Sequence, residues 1–267
     1  MTGKDFDGFV VVVTGASTGL GRAIAVETAS RGAKAVVINY ARSADEAHET
    51  AGLVRAEGAE AVLAQGDVAD DAACRAIAAA AEPFGRVDAL FNNAGMTKMV
   101  PNHADLDGLT ADDFLRLYSV NVVGAFQMVR ATRSLLEACP QPGAVVMTSS
   151  IAGATGIGSS VAYAASKGAM TTMTLSLARA LAPKIRVNAV LPGFIATPWF
   201  EKGLGAQSME RLRQRSAENT PLKVASEAED VAAATVFLAS PASRHVTGET
   251  LLVDAGAHLG GASLSMR

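Results

Sequence analysis

Short runs of β-branched and other apolar residues alternate along the chain with longer alanine-rich segments of helical periodicity. Strands whose residues are all apolar are buried on both faces, which is typical of a parallel sheet with helices on both sides. The pattern therefore predicts an α/β fold built on a seven-stranded, parallel, doubly wound sheet. The predicted strands are residues 9–13, 35–38, 61–64, 87–91, 144–147, 186–190 and 250–253.

The segments between these strands predict the helices. Helical periodicity covers residues 19–31, 43–57, 70–82, 111–138, 161–181 and 228–239, with a less regular helical stretch ending near residue 217. No linker or change of composition divides the chain, so residues 1–267 are predicted to form a single domain. Irregular stretches follow Gly95, Ser150 and Pro192, each just beyond a predicted strand, where doubly wound sheets bind ligands.

Composition and charge exclude several classes of function. The 267 residues are 49% hydrophobic and 18% charged, and the formal net charge of -3 offers no basic surface for nucleic acid. Two distant cysteines, Cys74 and Cys139, and four scattered histidines predict neither a disulfide framework nor a metal site. The polar N-terminus and the lack of a long apolar run predict a cytoplasmic protein without a membrane partner.

A glycine-rich turn connects the first strand to the first helix. Glycines in such a turn let the backbone approach a pyrophosphate closely, and the helix N-terminus supplies amide donors. A turn without a ligand is the alternative, but its position at the first strand of a βαβ unit favours dinucleotide binding. The predicted contacts with the cofactor are Gly15, Ser17, Thr18, Gly19, Leu20 and Gly21.

The end of the second strand indicates which dinucleotide is bound. An acid at this point accepts a hydrogen bond from a free ribose 2′-hydroxyl, yet no carboxylate occurs here before Asp45. Arg42 can pair with a 2′-phosphate, so NADP(H) is favoured and NAD(H) is the alternative. Arg42 as an ordinary solvated charge is the other interpretation. The predicted contacts are Asn39, Tyr40, Ala41, Arg42 and Ser43.

Tyr163 and Lys167 are the candidates for acid-base chemistry. A spacing of four residues places the phenol and the ammonium group on one face of a helix. A cation beside a phenol favours the phenolate, so we expect the pKa of Tyr163 to be lowered. Many such pairs are simply neighbours on a helix surface, and the assignment depends on the residues around them.

Further motifs occur in a fixed order along the chain. Asn92-Asn93-Ala94-Gly95 follows the fourth predicted strand, Asn121 lies on the long helix, and Ser150 precedes Tyr163 by thirteen residues. Together with the glycine turn, the Tyr163 and Lys167 pair and the Pro192 to Thr197 segment, they resemble the short-chain dehydrogenase/reductase family over residues 7–257. The resemblance implies a Rossmann fold and an oxidoreductase.

The resemblance also implies the roles of four residues. Tyr163 would exchange a proton with the oxygen of a carbonyl or alcohol, and Ser150 would hold the same oxygen. Lys167 would lower the pKa of Tyr163 and bind the nicotinamide ribose, and Asn121 would support a water relay. Ser149 is the main competitor of Ser150, which has the interval to the tyrosine usual in the family.

Other cofactor contacts follow by position from the same resemblance. Asp67 and Val68 would flank the adenine. The remaining contacts would line the cofactor between the phosphate turn and the carboxamide: Asn93, Ala94, Gly95, Tyr163, Lys167, Pro192, Gly193, Ile195 and Thr197.

The substrate is predicted only as a class. The expected pocket is mostly apolar, which favours a small hydrophobic or alicyclic ketone or secondary alcohol. Its expected lining is Met96, Thr97, Ala152, Thr155, Ile157, Val161, Phe194, Trp199 and Phe200.

Three alternatives remain. The chain is similar to 3-oxoacyl-carrier-protein reductases, although only Arg130 and Arg133 offer positive charge at the end of the long helix. The second alternative is a sensor or scaffold protein without catalysis, and the third is an epimerase or dehydratase.

Apolar residues on the two longest helices, together with the resemblance, predict a homotetramer, with a dimer as the alternative. These residues are Ala125, Phe126, Met170, Met173 and Leu177.

Overall fold

One parallel sheet organises the molecule. The structure, a computed structural model, describes residues 4–197 and 206–260. The strands of these residues pair in the order β3-β2-β1-β4-β5-β6-β7, and every pairing is parallel. The predicted fold class is confirmed. The strands are β1 (Val10–Val13), β2 (Ala35–Tyr40), β3 (Glu60–Gln65), β4 (Ala89–Asn92), β5 (Gly143–Thr148), β6 (Ile185–Pro192) and β7 (Thr250–Val253).

Helices connect the strands, and they differ from the prediction in three places. The third helix ends at Ala79 and a separate 3₁₀ turn, Glu82–Phe84, follows it. A π-helix, Ser119–Gly124, divides the long helix, and a short helix after β5 was not predicted. The helices are α1 (Gly19–Ser30), α2 (Ala44–Ala56), α3 (Asp71–Ala79), α4 (Ala111–Tyr118), α5 (Ala125–Glu137), α6 (Ala152–Thr155), α7 (Val161–Leu181), α8 (Ala206–Asn219) and α9 (Ala228–Ala239).

Strand β1 shows why an uninterrupted apolar run predicts a doubly wound sheet. Val11 and Val13 pack in one core cluster with residues of α1, α2 and α9. Val10 and Val12 point to the other face and pack with residues of α3, α5 and α7. Successive side chains of a strand alternate between faces, so only a strand covered on both sides can be apolar throughout.

The strand order places the candidate site. The chain leaves β1 toward β2 on one side, and β4 pairs with the other side of β1. A crevice forms at such a reversal, outside the carboxyl ends of the strands. The loops that follow β1, β4, β5 and β6 all start at this edge of the sheet, and these loops carry the predicted motifs. No helix in the two described ranges is long and apolar enough to cross a membrane.

Candidate active site

The turn between β1 and α1 is closed so tightly that it requires glycine. Gly15 has φ +60°, and a Cβ atom there would lie 2.9 Å from the Cα of Ala94. A Cβ at Gly21 would collide with the carbonyl oxygen of Gly15 and lie 2.6 Å from Asn93 Nδ2. Only glycine therefore fits these two positions, as a phosphate-binding turn before a helix requires.

Two amide side chains, the buried Asn39 and the half-buried Asn93, hold this turn from behind. Asn39 accepts a hydrogen bond from Gly15 N at 3.1 Å and donates to the carbonyls of Ala64 and Gly66. Asn93 donates to the carbonyl oxygens of Thr14 and Gly15, each at 3.1 Å. Both side chains thus support the turn from within the protein, whereas the sequence placed these residues only as contacts of the cofactor.

Arg22 also holds the turn, although no motif in the sequence indicated it. Its guanidinium donates to the Ser17 carbonyl at 2.9 and 3.2 Å, to Thr50 Oγ1 at 2.9 Å and to the Glu46 carbonyl at 3.1 Å. Thr50 and Glu46 belong to α2, which begins directly after Ser43. Arg22 therefore connects the phosphate turn to the helix that follows the predicted 2′-phosphate site.

The residues expected around the adenine ribose lie at the ends of β2 and β3. Tyr40 is buried, while Ala41 and Arg42 are exposed at the mouth of the crevice. Val68 is buried, and Asp67 is exposed with its carboxylate accepting a hydrogen bond from Ala69 N at 3.0 Å. The exposed Arg42 thus lies just after the buried end of β2.

Three of the predicted catalytic residues come together where β5 meets α7. The side chains of Ser150 and Tyr163 share a hydrogen bond. Lys167 is 3% exposed, and its Nζ donates to the Thr148 carbonyl at 2.7 Å and lies 5.7 Å from the centroid of the Tyr163 ring. A phenol, a hydroxyl and a buried cation therefore share one corner of the crevice.

The pKa values in this corner differ from the expectation based on spacing. Burial raises the pKa of the Tyr163 phenol to about 12, and the hydrogen bond with Ser150 lowers it only in part. Burial also lowers the pKa of Lys167 to about 8. The expected lowering of the tyrosine pKa is therefore wrong for the protein without its cofactor, because desolvation of the phenolate outweighs the favourable contacts. At neutral pH the phenol carries its proton.

Asn121 lies in the π-helix and is fully buried. Its side chain accepts from Met96 N at 2.8 Å and donates to the Met96 carbonyl at 3.0 Å and to Ser166 Oγ at 3.0 Å. Ser166 in turn donates to the Tyr163 carbonyl at 2.8 Å. Asn121 thus fixes the chain after Gly95 against α7. Single-turn π-helices often occur at functional sites, yet the sequence pattern did not indicate this one.

The residues expected along the cofactor lie close together between the phosphate turn and Lys167. A Cβ on Gly95 would lie 3.4 Å from Asn121 Oδ1 and 3.6 Å from Lys167 Nζ. Thr197 packs over Gly19, with its Cβ 3.4 Å from the position a Gly19 Cβ would take. Ile195 pairs with Ser226, and Gly193 lies against Asp254. The glycines keep the backbone of these loops close together and free of side chains, so the residues present fit a dinucleotide.

The expected substrate pocket is only partly assembled by the described residues. A Cβ on Gly158 would lie 3.5 Å from the ring of Tyr163, so the loop before α7 borders the site. His103 Nε2 is 3.1 Å from the Gly158 carbonyl, which ties the segment after Gly95 to this loop. Ala152 is buried and Ile157 is 75% exposed. Trp199 and Phe200 lie outside the described residues.

Known proteins resemble the chain over nearly its whole length. A family model described as Enoyl-(Acyl carrier protein) reductase matches residues 15–258. A protein of Streptomyces violaceoruber, described as a ketoacyl reductase of the granaticin polyketide synthase, is 40% identical, covering 94% of this chain and 96% of that protein. An L-rhamnose 1-dehydrogenase (NAD(P)(+)) of a Sphingomonas species is 38% identical, and the alignment covers 96% of this chain and 98% of that protein.

A solved structure agrees with these relatives. It is described as a short-chain dehydrogenase/reductase from Burkholderia xenovorans, and it superposes with a TM-score of 0.86 at 38% identity. The alignment covers 95% of this chain and 99% of that one. The chain belongs to the short-chain dehydrogenase/reductase family and is an oxidoreductase that acts on CH–OH groups with NAD(P).

Proposed function

We propose that the protein interconverts a ketone and a secondary alcohol with NADP(H), using Tyr163 as the acid-base group. The observation that carries this proposal is the hydrogen bond between Ser150 and Tyr163 beside the buried Lys167, close to the glycine-rich loops that follow β1 and β4. A nucleotide sensor without catalysis would not need a phenol, a hydroxyl and a cation assembled at this point.

Each side chain has a defined part in the proposed reaction. The bound nicotinamide supplies or accepts the hydride. Tyr163 donates its phenolic proton to the carbonyl oxygen during reduction, and Ser150 holds that oxygen by a hydrogen bond. The charge of Lys167 stabilises the phenolate that remains. Asn121 keeps the Met96 segment and α7 in register, and the water relay that would return a proton passes near it.

The protonation state of Tyr163 favours reduction at neutral pH. With a pKa near 12, the phenol is ready to donate a proton and is a weak base. Oxidation of an alcohol needs the phenolate, so its rate should increase with pH. The two directions should therefore depend on pH in opposite ways.

Arg42 provides a test of the cofactor preference. Replacing Arg42 by Ala should raise the KM for NADPH about tenfold or more and leave that for NADH within about twofold, because only NADPH carries a 2′-phosphate for the guanidinium to bind. Initial rates with each cofactor measure both constants. Arg55→Ala is the matched control, because Arg55 lies near the end of α2 and donates to the Ala61 carbonyl. Equal KM changes for the two cofactors would contradict the NADP(H) assignment.

The arginines on α5 bear on the choice between a free substrate and a carrier-bound one. Arg130 pairs with Asp71, and Arg133 pairs with Glu137 at 2.8 Å. Both charges are already balanced within the chain, which leaves little positive potential for an acidic carrier protein. A small hydrophobic or alicyclic carbonyl compound is therefore the proposed substrate, and a 3-oxoacyl-carrier-protein is the alternative. The names of the relatives include both a ketoacyl reductase and a sugar dehydrogenase.

A panel of substrates tests the proposed reaction. The near-ultraviolet absorbance of NADPH is followed with cyclic ketones, diketones, steroid-like ketones and acyl thioesters, and in the reverse direction NADP⁺ is offered with secondary alcohols and sugars. We expect the highest kcat/KM with a cyclic or other small hydrophobic ketone. A preference for acyl thioesters would select the carrier-protein alternative, and turnover without net change in NADPH would indicate an epimerase or dehydratase.

Exposed apolar side chains support the proposal of a homotetramer. Phe126 on α5 is 43% exposed, whereas Ala125 and Met170, which were predicted with it, face the core; Leu175 on α7, which was not predicted, is 47% exposed. Phe237 on α9 and Leu252 on β7 form a second exposed pair. Light scattering should give four chains per particle, and Phe237→Glu should reduce this to two. The same mass for both proteins would contradict a second interface at α9.

A cytoplasmic location of the protein stays a prediction.

A further inference from the structure

Ser149, the residue before Ser150, bonds to helix α7. It is 2% exposed, and its backbone N donates to the Val190 carbonyl of the neighbouring strand β6 at 2.9 Å. Its hydroxyl donates to the Lys167 carbonyl at 2.9 Å and lies 3.0 Å from Thr171 Oγ1. Ser149 therefore does not compete with Ser150 for the substrate, because its hydroxyl is used inside the protein.

Thr171 completes this group of contacts from one turn further along α7. Its hydroxyl donates to the same Lys167 carbonyl at 3.1 Å. The Lys167 carbonyl thus receives two hydroxyl groups that also touch each other, one from the end of β5 and one from its own helix. We call Ser149, Thr171 and the Lys167 carbonyl the hydroxyl joint.

Three consecutive residues at the end of β5 make three different contacts with α7. The Thr148 carbonyl accepts from Lys167 Nζ, the Ser149 hydroxyl donates to the Lys167 carbonyl, and the Ser150 side chain bonds to that of Tyr163. The central contact is the hydroxyl joint. A shift of α7 along or around its axis at this joint would move the contacts on either side, which carry the proposed chemistry.

The short helix α6, which follows Ser150, packs closely against α7. A Cβ on Gly153 would lie 2.6 Å from the Lys167 carbonyl carbon and 2.8 Å from Gly168 N. The backbones of α6 and α7 are therefore in direct contact. The hydroxyl joint lies at this contact and bonds the end of β5 to α7 at Lys167.

We propose that Ser149 and Thr171 are positioning residues that set the separation of Ser150 from Tyr163 through the Lys167 carbonyl. Neither residue touches the reacting atoms. The inference rests on the proposed function, because it assigns these two hydroxyls to the geometry of the Ser150 and Tyr163 pair. Small displacements of catalytic groups are costly to rate, and a misplacement of about 1 Å can reduce turnover about a hundredfold.

The test compares two threonines on one helix, the half-buried Thr171 and the buried Thr174. Thr171→Val removes a hydroxyl and keeps the side-chain shape, and Thr171→Ser keeps the hydroxyl. Thr174→Val is the matched control, because Thr174 is buried and donates to the Met170 carbonyl at 2.9 Å in the same way but makes no bond to Ser149. For each variant we measure kcat, the KM for NADPH and the urea midpoint.

We expect Thr171→Val and Ser149→Ala to reduce kcat about tenfold or more, with the KM for NADPH changed less than about twofold. Thr171→Ser should retain most of the wild-type kcat, and Thr174→Val should match the wild type. A purely structural role would lower the urea midpoint and leave kcat of the folded enzyme unchanged, whereas a positioning role lowers kcat and leaves the KM for NADPH in place.

If Thr171→Val and Thr174→Val had equal kcat values, the positioning role would be overturned. If Ser150→Ala were inactive in the same experiment, the proposed reaction would still stand. Full turnover by Ser150→Ala would overturn the proposed use of Ser150, and the inference with it. The two failures are therefore distinguishable by a single additional variant.

Discussion

Tyr163→Phe should reduce turnover of a carbonyl substrate by about 100- to 10,000-fold, the usual contribution of a positioned general acid. The substitution removes only the phenolic oxygen. The aromatic ring beside Lys167 Nζ stays, and so does the cap of α7, where Ser160 Oγ accepts from the Tyr163 backbone N at 3.2 Å. NADPH affinity should therefore change less than about twofold, and the loss should fall on kcat rather than on cofactor binding.

Tyr118→Phe is the matched control for this experiment. Tyr118 ends α4, outside the group of residues that surround the proposed reaction, and the chain has only three tyrosines. The control variant should retain wild-type kcat. Stopped-flow rates separate hydride transfer from product release in both variants. Near-normal turnover of Tyr163→Phe would contradict the acid-base assignment.

Lys167→Met should have opposite effects on activity and stability. Activity should fall at least about a hundredfold, because the phenolate of Tyr163 loses its neighbouring charge. The free energy of unfolding at neutral pH should rise by roughly 2 kcal/mol. In the wild type, burial lowers the pKa of Lys167 from 10.5 to about 8, which destabilises the folded state by roughly 3 kcal/mol. In the variant the Thr148 carbonyl loses its donor, which offsets about 1 kcal/mol of the gain.

The pH dependence of this effect has a defined sign. Between pH 8 and 10.5 the unfolded chain binds a proton at Lys167 that the folded chain has released. The free energy of unfolding of the wild type therefore increases with pH in this window. Below pH 8 both states are protonated and the full cost remains. The stability difference between Lys167→Met and the wild type should therefore shrink as the pH rises through the window.

Urea unfolding at fixed protein concentration measures this difference. Lys184→Met is the control, because Lys184 is exposed and the same loss of charge should change stability little. A variant that is less stable than the wild type at neutral pH would show that the lysine is held by favourable contacts rather than buried at a cost.

Much of the fold could be predicted because its signals are local. The apolar run of β1 is buried on both faces, and the spacing of Tyr163 and Lys167 on α7 follows from helix geometry alone. The bounds of α7 agree with the prediction from residues 161 to 181. In each case neighbouring residues carry the information, so periodicity and turn chemistry are sufficient.

What the sequence did not predict depends on contacts between distant segments. The π-helix around Asn121 is stabilised by bonds to Met96 and Ser166, and Ser149 finds its partner on α7 eighteen residues away. The pKa of Tyr163 depends on how much water the folded chain excludes, which no spacing records. These features set the geometry and protonation of the site, and they require the tertiary structure.

Transfer of deuterium shows whether the protein moves a hydride to a carbonyl carbon with Tyr163 as the acid. NADPH that carries deuterium at the hydride-donating carbon of its nicotinamide is incubated with the protein and the best carbonyl substrate of the panel, and the alcohol is analysed by mass spectrometry and NMR. The account predicts one deuterium on the carbinol carbon of a single alcohol stereoisomer, formed by the wild type and reduced by about 100-fold or more in Tyr163→Phe. Deuterium that stays in the cofactor, or transfer at the same rate by both proteins, would contradict it.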